Sequence, residues 1–156
     1  MHRAAMVEQA FKGGQMIGRR RLFTTADRSS HMARVRRTDT APERVVRRLV
    51  SSLGLRYSLD NTDLPGSPDL ANRRRRFAVF VHGCFWHRHV GCNRTTTPKT
   101  NRSFWEAKFD ANVKRDHRVI RQLRALGFRV FVIWECDTMR EASVARLTKR
   151  LSALLG

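Results

Sequence analysis

Apolar positions recur along this chain with two periods, and the switches between them mark its elements. Thr40, Ala41, Pro42 and Glu43 form a capping box, with Thr at the N-cap, Pro in the first turn and Glu at the third helical position. Val46, Val50 and Leu53 follow at helical spacing, and Gly54 stops the helix. Leu55 to Leu59 predicts a strand, Leu64-Pro65-Gly66-Ser67-Pro68 a turn, and Asp69 to Ala71 a further strand. Asn72 to Arg76 reads as a basic hairpin tip. It leads into Phe77 to Val81, an uninterrupted apolar run typical of a buried strand. Residues 93–102 form a polar loop, after which Ser103 caps a helix reaching about Leu126. Gly127 ends that helix, Phe128 to Trp134 is a second buried strand, and a helix from Arg140 to Leu155 follows. Helices flanking strands through short connections predict an α/β sandwich with a mixed central sheet.

Composition narrows the class. A chain of 156 residues with 41% hydrophobic positions suits one globular domain. No run of 18 apolar residues offers a membrane span, and the basic N-terminus lacks the apolar core of a secretory signal. Residues 1–26, with Gly13-Gly14, Gly18 and Arg19-Arg20-Arg21, read as a flexible basic arm; residues 27–156 read as the folded domain. Within the latter, 27–37 predicts a short basic helix capped by Asp27 or Ser29. Lys and Arg number 32 against 13 Asp and Glu, a net charge of +19 that points to a polyanion partner, nucleic acid above all. Three cysteines are an odd set, which argues against a disulfide framework.

The chemistry-bearing residues cluster. Cys84, His89 and Cys92 are spaced C-x4-H-x2-C, and Cys136 directly follows the strand ending in Ile133-Trp134-Glu135. Such a Cys3His set suits a tetrahedral structural zinc with no open position, and His87 can replace His89 in it. Asp116 falls on the stripe Phe109, Val113, Asp116, Ile120, Leu123, where a carboxylate needs a partner: a catalytic His, a metal-bound water or a neighbouring Arg. Glu43 shares a face with Val46 and Val50 and has a capping role of its own. Asp69 follows Pro68 at a strand start, where it can serve a turn or hold a divalent ion beside a phosphate. His82 and His87 flank the Gly83-Cys84-Phe85-Trp86 corner, and either suits an acid or base. Phe85, Trp86 and Trp105 suit stacking on bases or, alternatively, core packing.

PGSPD (65–69), FVHGCFWHRH (80–89), NVKRD (112–116) and VIWEC (132–136) occur in that order, and together the chain resembles the very short patch repair (Vsr) DNA mismatch endonucleases over residues 24–151. The resemblance implies a restriction-endonuclease-like core, a mixed sheet between helices with a structural zinc site. It implies a Mg2+-dependent nick 5′ of the thymine in T·G mismatches, which arise when 5-methylcytosine deaminates. By motif, Asp69 and the Val81 backbone carbonyl bind magnesium, His87 activates water, His82 helps at the scissile phosphate, and Glu43 and Asp116 support them. Cys84, His89, Cys92 and Cys136 become the Zn2+ ligands, and Phe85, Trp86 and Trp105 intercalate. The expected partner is double-stranded DNA carrying a T·G mismatch, met by a cytoplasmic, nucleoid-associated monomer alongside mismatch- or excision-repair proteins. The chain departs from the family in the spacing Val90-Gly91, in its longer arm and in stopping soon after the last helix. A sequence-specific double-strand cleaver on the same fold and a non-catalytic zinc-dependent DNA-binding module are the other readings.

Overall fold

The capping box forms as its residues dictate. In a computed structural model, which describes residues 38–155, α1 spans Ala41–Ser52. The Thr40 hydroxyl accepts from Glu43 N at 3.4 Å and donates to Glu43 Oε1 at 2.8 Å. The other Glu43 oxygen reaches one residue further back than a standard box and accepts from Asp39 N at 2.9 Å. Val46 and Val50, one turn apart, are fully buried. The arm expected over 1–26 and the helix expected over 27–37 lie outside the described residues.

Strand β1, Leu70–Asn72, pairs antiparallel with β2, Phe77–His82. Asn72 Oδ1 closes the connecting turn by accepting from Arg75 N at 2.7 Å. A short helix, α2 (Cys84–His87), and a long one, α3 (Arg102–Ala125), then carry the chain across to β3, Arg129–Trp134, which runs parallel to β2. Parallel neighbours require such a crossover. A 3-10 turn, Glu135–Thr138, leads to α4, Glu141–Leu155. Among the described residues the sheet has three strands in the order β1-β2-β3.

Alternation along β2 divides the core between the two faces of the sheet. Phe77 and Val79 join Val46 and Val50 of α1, Phe131 and Ile133 of β3, and Leu147 and Leu151 of α4. Ala78 and Phe80 point the other way, to Val119 and Leu123 of α3 and to Phe128. The expected mixed sheet between helices is therefore present.

The structure departs from the sequence reading in several details. Leu55–Leu59 is not a strand: its backbone meets the sheet in one bridge, Ser58 with Ala71. The reason is Asn61, almost fully buried, whose Nδ2 donates to Ser58 O and Pro68 O at 2.9 Å each while Oδ1 accepts from Ser58 Oγ at 2.6 Å. This side chain ties the loop and replaces ladder bonds. Helix α3 starts at Arg102 after a left-handed Asn101, so Ser103 lies inside it rather than capping it. The buried positions of α3 are Phe109, Val119 and Leu123, with Val119 displacing Ile120 from the centre of the stripe.

The 64–68 turn packs tightly on α3. Gly66 has φ +72°, and a Cβ there would lie 2.4 Å from Val119 Cγ1. Both the backbone and the space demand glycine. We expect Gly66→Ala to lower unfolding free energy by about 1–3 kcal/mol, from overpacking and a left-handed backbone. Urea denaturation checks this; an unchanged midpoint would contradict the tight contact.

Candidate active site and metal-ligand cluster

Two polar clusters stand at the C-terminal ends of β2 and β3. On one side of that edge, Asp69 precedes β1 and its Oδ2 accepts from Val81 N at 2.7 Å. The hydrogen bond places the carboxylate against the last turn of β2. Burial pushes the Asp69 carboxyl up to about 6; the Glu43 charge adds to this, and the Val81 N–H opposes it. Glu43 is itself buried, and its carboxylate is held by Asp39 N, Thr40 Oγ1 and, at 3.1 Å, Arg47 Nη2. Its hydrogen bonds among the described residues are thus to its own helix and cap, while its charge reaches Asp69.

His82 ends β2 and is buried. His87 ends α2, and its ring lies parallel to that of His82, with centroids 3.8 Å apart and planes 13° apart. His87 Nδ1 stands 2.5 Å from Asp116 Oδ2, so the carboxylate on the α3 stripe finds the imidazole partner that its position required. Burial alone would raise the Asp116 carboxyl; the His87 hydrogen bond and the charges of His87, His82 and Arg115 outweigh it and hold the group below the ordinary carboxylate range. An ionised carboxylate only accepts, so Nδ1 of His87 carries a proton and Nε2 is the nitrogen left free for other partners. That is the arrangement of an oriented base. Burial, then the neighbouring His87 charge, pushes His82 down to about 4, so it is neutral near pH 7. The donor atoms of His82, His87 and Asp116 lie within 4.8 Å of one another. Because the rings are stacked, their in-plane lone pairs run side by side instead of converging, which suits a proton more than a chelated ion.

Cys84, His89, Cys92 and Cys136 also bring their donor atoms within 4.8 Å of one another. His89 Nδ1 lies 3.6 Å from Cys84 Sγ and 3.3 Å from Cys136 Sγ. Of the two histidines that the spacing left open, His89 joins the cysteines and His87 joins Asp116. The loop is fixed by Thr95 Oγ1, which donates to His89 O at 2.8 Å and Cys84 O at 3.2 Å. Glu135 Oε2 accepts from Cys84 N at 3.3 Å, and its Oε1 accepts from Arg94 at 2.9 Å. Burial, then the adjoining thiols, pushes Cys136 up to about 12, and burial also raises Cys84. Cys92 goes down, led by the Arg94 backbone N–H. Three thiols this close resist ionising together unless a cation joins them, so the donor set fits a thiophilic divalent ion.

Phe85, Trp86 and Trp105 share a third grouping. Phe85 meets Trp86 edge-on at 5.0 Å, Trp105 at 5.8 Å and Phe109 at 5.1 Å. The three are half-buried, and the corner carrying Phe85 and Trp86 is one turn of helix entered from Gly83. Lys108 Nζ stands over the rings of Trp86, Phe104 and Trp105 at 5.2, 5.9 and 5.6 Å. Sequence reasoning missed Phe104, Lys108, Asn112, Trp134 and Glu135. The i, i+3, i+4 spacing of Trp105, Lys108 and Phe109 was the available signal for part of this group.

An imidazole hydrogen-bonded to a part-buried carboxylate, beside a second acid at a strand end of a strongly basic α/β protein, is chemistry suited to cleaving the phosphodiesters of nucleic acid. Residues 21–94 match the family model of DNA mismatch endonuclease Vsr. The chain is 46% identical over 106 residues to Type II nicking enzyme V.XorIIP of Xanthomonas oryzae pv. oryzae, covering 68% of this chain and 77% of that protein. It is 40% identical over 111 residues to DNA mismatch endonuclease Vsr of Escherichia coli K12, covering 71% and 70%. With Type II nicking enzyme V.NmeAIP of Neisseria meningitidis it shares 36% identity over 130 residues, 83% and 92%. The chain belongs to the Vsr DNA mismatch endonuclease family and is a DNA endonuclease. No helix among the described residues is long and apolar enough to cross a membrane.

Asp69 and His82 pull pH-dependent stability in opposite directions. Asp69, raised from 3.8 to about 6, binds more proton when folded, so its contribution falls as pH climbs through that window. His82, lowered from 6.5 to about 4, binds less proton when folded, so its contribution rises from about pH 4 to 6.5. In metal-stripped protein we expect Asp69→Asn to steepen the rise of stability between pH 4 and 6, and His82→Asn to reverse it. Denaturant melts across that range check the signs; parallel profiles for both variants and the wild type would contradict them.

Proposed function

We propose that this endonuclease makes a Mg2+-dependent nick in one strand, 5′ of the thymine in a T·G mismatch, and so opens very short patch repair. The observation that carries the reading is the His87–Asp116 pair, stacked on His82 at the strand end where Asp69 is held by Val81 N. Asp69, with the Val81 carbonyl, holds the magnesium ion. A carboxyl that burial and Glu43 make hard to ionise is the kind that gains from an added cation. When bound, the ion neutralises charge developing on the phosphate and acidifies water.

The rest of the chemistry falls to the chain. Asp116 keeps its charge and holds the Nδ1 proton of His87. Nε2 of His87 then takes the proton of the attacking water as oxygen adds to phosphorus and the opposite ester oxygen leaves. His82, neutral, lies against His87 and serves at the scissile phosphate without adding a competing positive charge. Glu43 anchors the α1 terminus and sets the field at Asp69. Cys84, His89, Cys92 and Cys136 bind Zn2+ as a closed structural site. Phe85, Trp86 and Trp105 wedge beside the mismatch, where a poorly stacked T·G pair yields more readily than a Watson–Crick pair.

Two of the three relatives named above carry the name of nicking enzymes, which favours single-strand cutting over the double-strand alternative. Endonuclease family membership removes the non-catalytic module. A duplex with one T·G pair and its T·A and C·G counterparts, each strand labelled, tests the proposal. We expect one Mg2+-dependent nick in the T·G duplex only. Asp69→Ala should lose roughly a thousandfold or more in rate with binding retained, and His87→Ala about a hundredfold or more. Cutting of both strands of matched DNA would replace mismatch nicking with restriction-type cleavage, and wild-type rates in Asp69→Ala would remove the site assignment.

A further inference from the structure

Four rings run in series between the two polar clusters. The His87 ring stacks on His82 at 3.8 Å, and His82 meets Trp134 edge-on at 5.5 Å with planes 72° apart. Trp134 in turn stacks on His89 at 4.2 Å, with planes only 6° apart. His82 and Trp134 are register partners at the ends of β2 and β3. The indole therefore lies between the histidine that faces Cys84 and Cys136 and the histidine that backs His87.

We infer that Trp134 is a positioning residue that couples the Cys84/His89/Cys92/Cys136 cluster to the His82–His87 pair. The backbone route between the clusters is too loosely determined to do this alone. It passes through Gly83, an N-cap with no side-chain cap bond, a one-turn helix, and the left-handed Arg88. A backbone with those features leaves imidazole torsions open, since rotation about the ring bond of His is broad and roughly two-fold. What sets the ring planes is contact. An ion at the cluster fixes the His89 ring, the parallel indole inherits that plane, and its edge limits how far His82 can turn. His82 then limits the ring plane of His87, whose Nδ1 Asp116 holds, so that stacking and hydrogen bond together aim Nε2 in one direction. Misplacing a reacting group by about 1 Å costs on the order of a hundredfold in rate. The inference rests on the reading that the four-residue cluster holds metal and that His87 acts on the attacking water.

The test compares wild type, Trp134→Phe and Trp134→Leu as full-length, metal-loaded proteins. Phe keeps a flat ring and Leu does not. Metal content, duplex affinity and single-turnover nicking of a T·G duplex are measured for each. In parallel, zinc is exchanged for Cd2+ and the ring resonances of His82, His87 and His89 are followed by NMR. We expect Trp134→Leu to slow nicking about tenfold or more, with metal content and duplex affinity unchanged, and Trp134→Phe to stay within about threefold of wild type. Cd2+ exchange should move the His82 and His87 resonances in wild type and in Trp134→Phe, and only those of His89 in Trp134→Leu. Wild-type nicking by Trp134→Leu overturns the inference, as does a rate loss matched by lost metal. Should Trp134→Leu fail to fold, the exchange on wild type decides: silent His82 and His87 resonances with metal bound overturn the coupling alone. A wild-type protein that holds no metal overturns the coupling and the metal reading together.

Discussion

The parallel pairing of β2 with β3, which ends at His82 against Trp134, is the contact on which the rest of the molecule depends. It forces the crossover that contains α2 and α3, so the chain must leave the sheet at His82 and come back at Arg129. His82, α2 and the residues that follow β3 hang from those two strand ends, and Asp69, just before β1, and Asp116, on α3, reach them. His82 closes β2, α2 starts two residues later, and Glu135 and Cys136 follow β3 at once. The buried faces of the strands bond the sheet to helices on both sides, and the strand ends stay available to ligands, as is general for parallel strands in α/β proteins.

Electrostatics divides the chain into two regimes. A net charge of +19 draws the protein toward a polyanion over many surface positions. At the strand ends the balance is local and different. Glu43, Asp69 and Asp116 are partly or wholly buried together with His82 and His87, and each responds to its own surroundings. Asp116, bonded to His87, is easier to ionise than an ordinary carboxyl; Asp69, buried and within reach of the Glu43 charge, is harder. Two aspartates in one neighbourhood are thereby separated in acidity. Under the proposed function, that separation suits Asp116 to a charged, orienting role and Asp69 to an arriving cation.

What could be read from the chain, and what could not, follows from range. The Thr40 cap, the FAVFV strand and the Gly127 stop are local signals and formed as read, with the Glu43 side chain bonding Asp39 N in place of the N-cap N–H. Asp116 betrayed itself by sitting on an apolar stripe, although which partner would satisfy it required knowing that α2 packs on α3. Leu55 to Leu59 has strand-like composition, yet a single buried asparagine three residues on from Ser58 overrode it. Trp134 gave no signal: inside an apolar strand an indole reads as core. Its contacts with His82 and His89 depend on register and on the loop that Cys84, Cys92 and Cys136 gather together. The resemblance in GCFWH and WEC named the site residues, but spacing alone left His87 and His89 interchangeable.

The placement of α2 explains why so small a segment can carry so much. A helix of one turn does not hold itself together in water, because its nucleation cost is never recovered by propagation. Each of its four residues is instead tied to a different neighbour. Cys84 joins the cysteine cluster and donates its N–H to Glu135. Phe85 packs edge-on against Phe109. The Trp86 carbonyl accepts from Asn112 at 3.1 Å, and His87 is bonded to Asp116. Two of these ties run to the end of β3 and three to α3, so α2 is clamped between the crossover helix and the returning strand. Cys84, which faces the cysteine cluster, and His87, which faces Asp116, can then sit within one turn without competing for one conformation. The conformation is imposed from outside, and any loosening of α3 or of the strand end is felt at His87 first.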